Sequence, residues 1–300
     1  MRSYEEIYAK VKSESKKIVA VAAAEDDTVL VAIAKARELG LCDAIFVGDE
    51  EKIKAIAKES GIDIEGIRII NEKDPKMSAR TAAGLVRSGE AHMLMKGLVD
   101  TASLLRAVLD KENGLRKGDM ISHVGVFEIP GYDRLIVVTD AALNMYPTLK
   151  EKKLIIENAV DMLHAFGIEK PKVAAVCAVE VVNEAMQATI DAAMLSKMNE
   201  RGQIKGCLID GPLALDNALS EEAASHKGIK SEVAGKADIL LMPNIEAGNV
   251  LYKALTYTTE SQAGGILLGA KAPVIVTSRA DSFTSKVNSI ALAVLSASRI

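Results

Sequence analysis

The amino-acid sequence predicts an α/β protein that is built on mostly parallel sheet flanked by helices. Short apolar runs alternate with segments of helical periodicity, which is typical of a parallel sheet covered on both faces. The length of 300 residues corresponds to one large or two medium domains, at a prior of roughly 150 residues each. Because 49% of the residues are hydrophobic and only 3% are aromatic, we expect a substantial core packed from aliphatic side chains and methionine.

Strands are predicted where short apolar runs stand between turn residues. These runs lie at residues 17–23, 44–47, 67–70, 92–95, 123–127, 135–139, 172–178, 207–210, 239–242 and 274–277. Two of them, 123–127 and 135–139, flank the turn pair Pro130-Gly131. This arrangement predicts a hairpin, and therefore an antiparallel interruption of the parallel pattern.

Helices are predicted where apolar residues recur three or four positions apart. They lie at residues 4–17, 27–39, 50–60, 78–88, 147–166, 183–200 and 220–225, and a last helix follows Ser278. Asp27-Thr28 is suited to cap the second of these helices, and Pro147 to begin the fifth. Residues 243–249 are expected to form a polar loop that opens a further helix from Val250.

Charge and cysteine content argue against several classes of protein. The net charge is −4, the isoelectric point is near 5.7, and the lysines and arginines are dispersed, which disfavours a nucleic-acid or anionic-membrane surface. Cys42, Cys177 and Cys207 are too scattered for a disulfide framework or a structural zinc site, so we expect inert core residues. The N-terminus is charged without the apolar stretch of a signal peptide, and no apolar run approaches the ~18–20 residues of a membrane span. We therefore expect a cytoplasmic protein.

Polar residues follow the predicted strand 274–277 directly. Ser278, Arg279 and Asp281 place a hydroxyl, a cation and a carboxylate within four residues. In an open parallel sheet, ligands bind in the crevice beyond the carboxyl ends of the strands. These three residues are therefore candidates for a catalytic site.

A second cluster follows the predicted strand 92–95. Lys96-Gly97 stands at the strand exit, and Asp100-Thr101 is suited to cap a helix that carries Arg106. A glycine at a strand exit lets the backbone approach an anion, and a helix N-terminus favours negative charge. Lys96, Gly97, Thr101 and Arg106 are therefore candidate binding residues. An ordinary strand–turn–helix connection is the alternative interpretation.

Two further pairs belong to the same hypothesis. Asp140 and Asn144 follow the predicted strand 135–139, where Asp and Asn also serve as ordinary turn and cap residues. Gly248-Asn249 ends the predicted loop at 243–249, where the asparagine could hydrogen-bond a ligand that the glycine lets approach. We count all four as candidate substrate-binding residues.

Several phrases of the sequence resemble the phosphate acyltransferases. The general phrases are GPLALD at 211–216, AGKAD at 234–238, MPNIEAGNVLYK at 242–253 and TSRADS at 277–282. Two more, MKGLVDTASLLR at 95–106 and DAAMLSKMNERGQIKGC at 191–207, resemble the butyryl-transferring branch in particular. The resemblance implies an isocitrate/isopropylmalate dehydrogenase-like architecture, with one discontinuous domain of residues 1–135 and 278–300, a second domain of 136–277, and an active cleft between them.

The resemblance also implies the chemistry. The family transfers a short-chain acyl group, here butyryl, reversibly between coenzyme A and inorganic phosphate through a ternary complex. Acyl-CoA and phosphate are then substrates, no cofactor or metal is bound permanently, and neither nucleic acid nor membrane is a partner. Relatives associate as dimers or larger homo-oligomers.

Roles for the candidate residues follow from this chemistry. Arg279 and Arg106 would hold phosphate oxygens, which suits the bidentate guanidinium, and Ser278 would donate to the developing oxyanion. Asp281 is the nearest carboxylate for proton transfer. The acetyl-transferring branch places its acid several positions further on, where this chain has 283–285, so a helix N-cap is the alternative role of Asp281.

Other functions stay open on the sequence. Acetyl or branched-chain acyl transfer cannot be separated from butyryl transfer by composition. A metal- and NAD-dependent decarboxylating dehydrogenase on a similar scaffold would need clustered carboxylates, and neither these nor a GxGxxG phrase is found. A non-catalytic ligand-binding relative is the third alternative.

Overall fold

The computed structural model describes residues 1–118, 120–278 and 281–298. The strands in this part of the chain are β1 (Lys17–Ala22), β2 (Cys42–Gly48), β3 (Arg68–Asn71), β4 (Met93–Lys96), β5 (Ser122–Glu128), β6 (Ile136–Thr139), β7 (Lys172–Val176), β8 (Leu208–Leu213), β9 (Ile239–Leu241), β10 (Gln262–Leu268) and β11 (Val274–Ile275). The helices are α1 (Tyr4–Ser13), α2 (Asp27–Glu38), α3 (Glu50–Glu59), α4 (Pro75–Ser88), α5 (Thr101–Leu109), α6 (Leu149–Ala165), α7 (Gln187–Glu200), α8 (Leu215–Leu219), α9 (Glu221–His226), α10 (Ile245–Thr258) and α11 (Phe283–Ala297).

The chain forms two compact units. One contains Tyr4–Ile121 and the chain from Ala263 onward, and we call it the terminal unit. The other contains Met1–Ser3 and Ser122–Gln262, and we call it the central unit. The domain bounds implied by the resemblance, 1–135 with 278–300 and 136–277, refer to the family's domains and stay a prediction.

The terminal unit is built on strands in the order β3-β2-β1-β4-β11-β10. Neighbours from β3 to β11 run parallel, and β10 runs antiparallel to β11. β1 is buried almost along its whole length, and its apolar sequence KIVAVA suits a parallel strand covered on both faces. Helix α11 is buried on nearly every side from Lys286 to Ser296, and the run IALAVL within it is accordingly apolar.

The central unit is built on strands in the order β5-β6-β9-β7-β8. The hairpin β5–β6 is antiparallel, as the Pro130-Gly131 turn predicts, and the remaining neighbours are parallel. The predicted fold class, an α/β protein with mostly parallel sheet flanked by helices, is therefore confirmed.

Some element boundaries differ from the prediction. Helix α10 begins at Ile245 rather than Val250, because the Asn244 side chain accepts a hydrogen bond from the Ala247 amide at 3.0 Å and caps the helix there. Gly248 and Asn249 therefore lie within a helix and not in a loop. The prediction was wrong because it treated a glycine near a helix start as loop.

Other elements also differ from the prediction. Asp26, not Asp27, caps α2, and α6 begins after Thr148, which forms a capping box with Glu151. Helix α7 begins at Gln187 rather than at residue 183. Strand β10 was missed, because the two glycines in QAGGILL weaken a strand pattern.

Candidate active site

The carboxyl ends of β1, β4 and β11 meet at one edge of the terminal unit. The register pairs Ala22 with Lys96 and Ile275 with Met95, so the loops after these parallel strands leave side by side. The chain runs from β1 outward to β2 and β3, and then returns to add β4 on the other side of β1. This edge is therefore a topological switch point, the place where open α/β sheets bind ligands. We call it the switch-point edge.

Gly97 allows two loops to approach each other at the switch-point edge. Its amide donates to the Ala22 carbonyl at 2.8 Å, and a Cβ at Gly97 would lie 2.1 Å from the Ala23 carbonyl oxygen. Ala23 has a φ of 50°, in the left-handed region, and its amide donates to the Ser78 hydroxyl at 2.7 Å. Glycine is therefore needed at position 97 because two segments of the protein's own backbone approach each other there. The predicted contact of Gly97 with substrate stays a prediction.

Lys96 and the N-terminus of α5 lie next to this contact. The half-buried Lys96 ammonium donates to the carbonyls of Gly97 at 3.1 Å and Val99 at 3.2 Å, and so braces the turn into the helix. Asp100 caps α5 by accepting the Ser103 amide at 2.8 Å, as predicted. Hydrogen bonds from Ser103 and the positive charge on Arg106 lower the pKa of Asp100, so this cap is ionised at neutral pH.

Thr101 and Arg106 both lie exposed on α5. Arg106 makes no hydrogen bond to any residue in the described ranges, so its guanidinium is available to an anionic ligand. The predicted roles of Thr101 and Arg106 stay predictions, and the exposed arginine near the switch-point edge is compatible with phosphate binding.

Ser278 and Asp281, which lie between β11 and α11, are joined by two hydrogen bonds. We call this hydrogen-bonded pair the Ser278–Asp281 turn. The Ser278 amide donates to Asp281 Oδ2 at 2.6 Å, and the Asp281 amide donates to the Ser278 carbonyl at 3.2 Å. Ser282 caps α11 by accepting the Ser285 amide at 3.1 Å, so the alternative role of Asp281 as N-cap is wrong. The third predicted catalytic residue, Arg279, lies outside the described residues.

In the central unit, the Asp140 carboxylate organises the loop after β6. Oδ2 accepts from the His123 amide at 2.9 Å and from Asn144 Nδ2 at 2.7 Å. Oδ1 accepts from the Ala142 and Leu143 amides at 2.8 and 2.9 Å. Asp140 is 3% exposed. Its carboxylate therefore holds the loop together, and the substrate contacts predicted for Asp140 and Asn144 stay predictions.

The first turn of α10 packs directly on this loop. A Cβ at Gly248 would lie 2.3 Å from the Asp140 carbonyl oxygen, so only glycine permits the approach. Asn249 Nδ2 donates to the Ala141 carbonyl at 3.1 Å. The structure thus brings Asp140, Asn144, Gly248 and Asn249 together, and it gives the last two a role in docking the helix. Their contact with substrate is untested.

Lys286 was missed by the sequence analysis. This lysine in the first turns of α11 is 2% exposed, and its ammonium donates to the carbonyls of Asp281 at 2.8 Å and Ser278 at 3.2 Å. The available signal was the sequence FTSKVNSIALAVLSA, in which one charged residue interrupts a helix that is otherwise uncharged.

The cysteine thiols do not form a reactive centre. Burial raises the pKa of Cys42 to about 12, with a further contribution from the negative charge of Asp43. Burial likewise raises the pKa of Cys177 and of Cys207 to about 11. All three are free and buried. They are protonated at neutral pH and unsuited to nucleophilic attack.

Two features are absent from the described residues. In residues 1–118, 120–278 and 281–298, no group of three or more His, Cys, Asp or Glu side chains is arranged to hold a metal ion. Over the same ranges, none of the helices combines the length and apolar character needed to cross a bilayer.

Comparisons with known proteins identify the family of this chain. The family model described as phosphate acetyl/butaryl transferase matches residues 3–82 and 76–294. The chain is 60% identical over 295 residues to the phosphate butyryltransferase of Clostridium acetobutylicum, covering 98% of each sequence. It is 46% identical over 288 residues to the phosphate acetyltransferase of Thermotoga maritima, covering 96% of this chain and 97% of the relative.

A solved structure also resembles the fold. The branched-chain phosphotransacylase from Enterococcus faecalis superposes with a TM-score of 0.83 at 32% identity, covering 94% of this chain and 99% of that one. Family model, sequence relatives and structure cover nearly the whole chain and agree with one another. The chain belongs to the phosphate acetyl/butaryl transferase family.

Proposed function

We propose that the protein catalyses the reversible reaction of butyryl-CoA with inorganic phosphate to give butyryl phosphate and coenzyme A. The observation that carries this proposal is the 60% identity to a phosphate butyryltransferase over 98% of both sequences. The Ser278–Asp281 turn at the switch-point edge supports it, because an exposed hydroxyl and a carboxylate stand together where such sheets bind ligands.

In the direction of acyl-phosphate formation, a phosphate oxygen forms a bond to the thioester carbonyl carbon. The tetrahedral intermediate collapses by breaking the carbon–sulfur bond, and the electron pair leaves with sulfur. In the reverse direction the coenzyme A thiolate attacks the acyl carbon, and the bond to the phosphate oxygen breaks. Free thiols have a pKa of about 8.5, so this direction needs a base to remove the thiol proton.

A separate chemical role is proposed for each of several candidate residues. Asp281 takes the thiol proton in the reverse direction and returns it in the forward direction. Ser278 donates to the oxyanion of the tetrahedral intermediate, and Arg279 and Arg106 hold the phosphate oxygens. On the central unit, the side-chain amides of Asn144 and Asn249 are proposed to bind substrate in addition to their contacts within the loop.

Direct transfer in a ternary complex is favoured over an acyl-cysteine intermediate. Such an intermediate requires an accessible thiolate, and burial raises the pKa of Cys42, Cys177 and Cys207. Both substrates must then be bound at once. Acyl-CoA and phosphate are proposed as the only small molecules that the reaction requires.

The acyl-chain preference has a second candidate. Similarity to a branched-chain phosphotransacylase and to a phosphate acetyltransferase, at 32% and 46% identity, favours related acyl groups less strongly than the 60% match favours butyryl. Since one methylene contributes only ~1–3 kcal/mol to discrimination, we expect activity on neighbouring chain lengths as well.

The test is release of the coenzyme A thiol from acetyl-, butyryl- and isobutyryl-CoA, with and without phosphate. We expect phosphate-dependent release that is fastest with butyryl-CoA and unaffected by a chelator or by NAD. Absence of phosphate-dependent release would contradict the proposed function. A requirement for a divalent metal would favour the dehydrogenase alternative.

Assembly and location are part of the proposal. We propose a cytoplasmic homo-oligomer, at least a dimer. The methionines on α7, of which Met194 is 47% exposed, offer an apolar surface for association, and three free cysteines are compatible with a reducing compartment. Sedimentation velocity at micromolar concentration would show a monomer if the assembly proposal is wrong.

A further inference from the structure

Lys286 carries a positive charge into the interior of the terminal unit. Its side chain is 2% exposed, and burying an ammonium is expensive unless hydrogen bonds compensate for lost water. No carboxylate in the described ranges forms an ion pair with it; its hydrogen-bond acceptors are the carbonyls of Ser278 and Asp281. The buried ammonium therefore donates its hydrogen bonds to the two ends of the Ser278–Asp281 turn.

Two hydrogen bonds hold Ser278 in place, one at its amide and one at its carbonyl. The Ser278 amide donates to Asp281 Oδ2 at 2.6 Å, and the Ser278 carbonyl accepts from Lys286 Nζ at 3.2 Å. The same ammonium donates to the Asp281 carbonyl at 2.8 Å. One buried side chain thus joins both ends of the turn, while the Asp281 carboxylate closes it.

The rest of α11 shows that packing alone does not require a lysine here. Its neighbours Val287, Ile290 and Val294 are buried apolar residues, and an unbranched apolar side chain would fill similar space without desolvating a charge. The ammonium supplies what methionine cannot, namely hydrogen-bond donors that converge on two carbonyls.

We propose that Lys286 is a positioning residue for acyl transfer, which holds Ser278 and Asp281 in the geometry that the reaction needs. This inference rests on the proposed function, because it assigns Lys286 a role in the same reaction. Small displacements of reacting groups slow a reaction strongly, since a shift of about 1 Å can lower the rate on the order of 10²-fold.

The experiment compares Lys286→Met, Lys286→Arg and the control Ser289→Ala in the full-length protein. Ser289 lies on the same helix and accepts a hydrogen bond from the Gly265 amide at 2.9 Å, so its loss removes a buried polar contact away from the turn. Each variant is assayed for kcat and for the KM of butyryl-CoA and of phosphate, and its melting temperature is measured.

For Lys286→Met we expect kcat to fall on the order of 10²-fold, with both KM values within about threefold of wild type. Lys286→Arg, which keeps the charge and the donors, should recover at least tenfold of that loss. Ser289→Ala should lower the melting temperature but leave kcat unchanged. If the role of Lys286 were merely structural, its loss would lower the melting temperature without this selective fall in kcat.

A folded Lys286→Met variant with kcat within threefold of wild type would overturn the inference, while leaving the proposed function intact. A wild-type protein without phosphate-dependent acyl transfer would instead overturn the proposed function and the role of Lys286 with it. If Lys286→Met does not fold, Lys286→Gln is assayed in its place, and the same thresholds for kcat decide.

Discussion

Two carboxylates that follow strands of parallel sheet, Asp140 in the central unit and Asp281 in the terminal unit, are used differently by the fold. Asp140 is 3% exposed and accepts four hydrogen bonds, three from backbone amides and one from Asn144. Asp281 is half-buried and accepts one, from the Ser278 amide, among the contacts that the described residues make.

The difference indicates an architectural role for Asp140 and supports the proposed chemical role of Asp281. Removing the Asp140 carboxylate would release the four hydrogen bonds that hold its loop. Asp281 keeps lone pairs that can take a proton while one oxygen still closes its turn. This contrast supports the proposed proton transfer at Asp281. In the sequence, Asp140 follows β6 directly, whereas Asp281 lies several positions beyond the end of β11.

Asp140→Ala should have the largest effect on stability. It leaves the backbone amides of His123, Ala142 and Leu143 without their acceptor. We therefore expect a loss of about 3–5 kcal/mol in the free energy of unfolding. Urea unfolding followed by circular dichroism measures it. The control is Asp133→Ala, an exposed partner of Arg134, which should change stability by less than about 1 kcal/mol. Equal effects of the two substitutions would remove the special role of Asp140.

Gly248→Ala should have a smaller effect on the same loop. The added Cβ would lie 2.3 Å from the Asp140 carbonyl oxygen, so α10 or the loop must shift, at a cost of about 1–3 kcal/mol. The matched control is Gly84→Ala in α4, where a Cβ meets nothing within 4 Å. There we expect stabilisation by about 0.5–1 kcal/mol, because alanine is the better helix former. Stabilisation at both positions would contradict the packing of α10 on the Asp140 loop.

Alkylation of the cysteines should have the smallest effect. Burial raises the pKa of Cys177 and Cys207 to about 11, so the reactive thiolate is scarce below pH 9 and grows only toward pH 11. Native protein treated with iodoacetamide at pH 8 should keep its activity, while urea-unfolded protein should take up three groups. Rapid inactivation of the native protein would favour an acyl-cysteine intermediate and weaken the assignment of proton transfer to Asp281.

Most of the fold could be predicted from the sequence because its signals are local. An apolar run between turn residues marks a buried strand, and the Asp100 cap and the Pro130-Gly131 hairpin each depend on residues close in sequence. The start of α10 was misplaced because Gly248 opposes helix formation locally. The structure accepts that cost, since only glycine fits against Asp140.

The different roles of Asp140 and Asp281 could not be predicted in the same way. Both carboxylates stand in polar segments that follow predicted strands, but the partners that distinguish them come from other parts of the fold. The His123 amide lies on a neighbouring strand, and Lys286 reaches the Ser278–Asp281 turn from inside α11. Such contacts depend on the packing of elements, which periodicity and composition do not specify.

The assignment of Asp281 as the base is tested most directly by kcat against pH for Asp281→Asn, measured with coenzyme A and butyryl phosphate. An asparagine oxygen can still accept the Ser278 amide, so the turn should persist, but proton acceptance is lost. We expect kcat near neutral pH to fall by about 10²–10⁴-fold. The kcat of this variant should recover partly toward higher pH, because the coenzyme A thiol then ionises unaided with a pKa of about 8.5. A profile that superimposes on that of the wild type would contradict the assignment and mean that the proton leaves by another route.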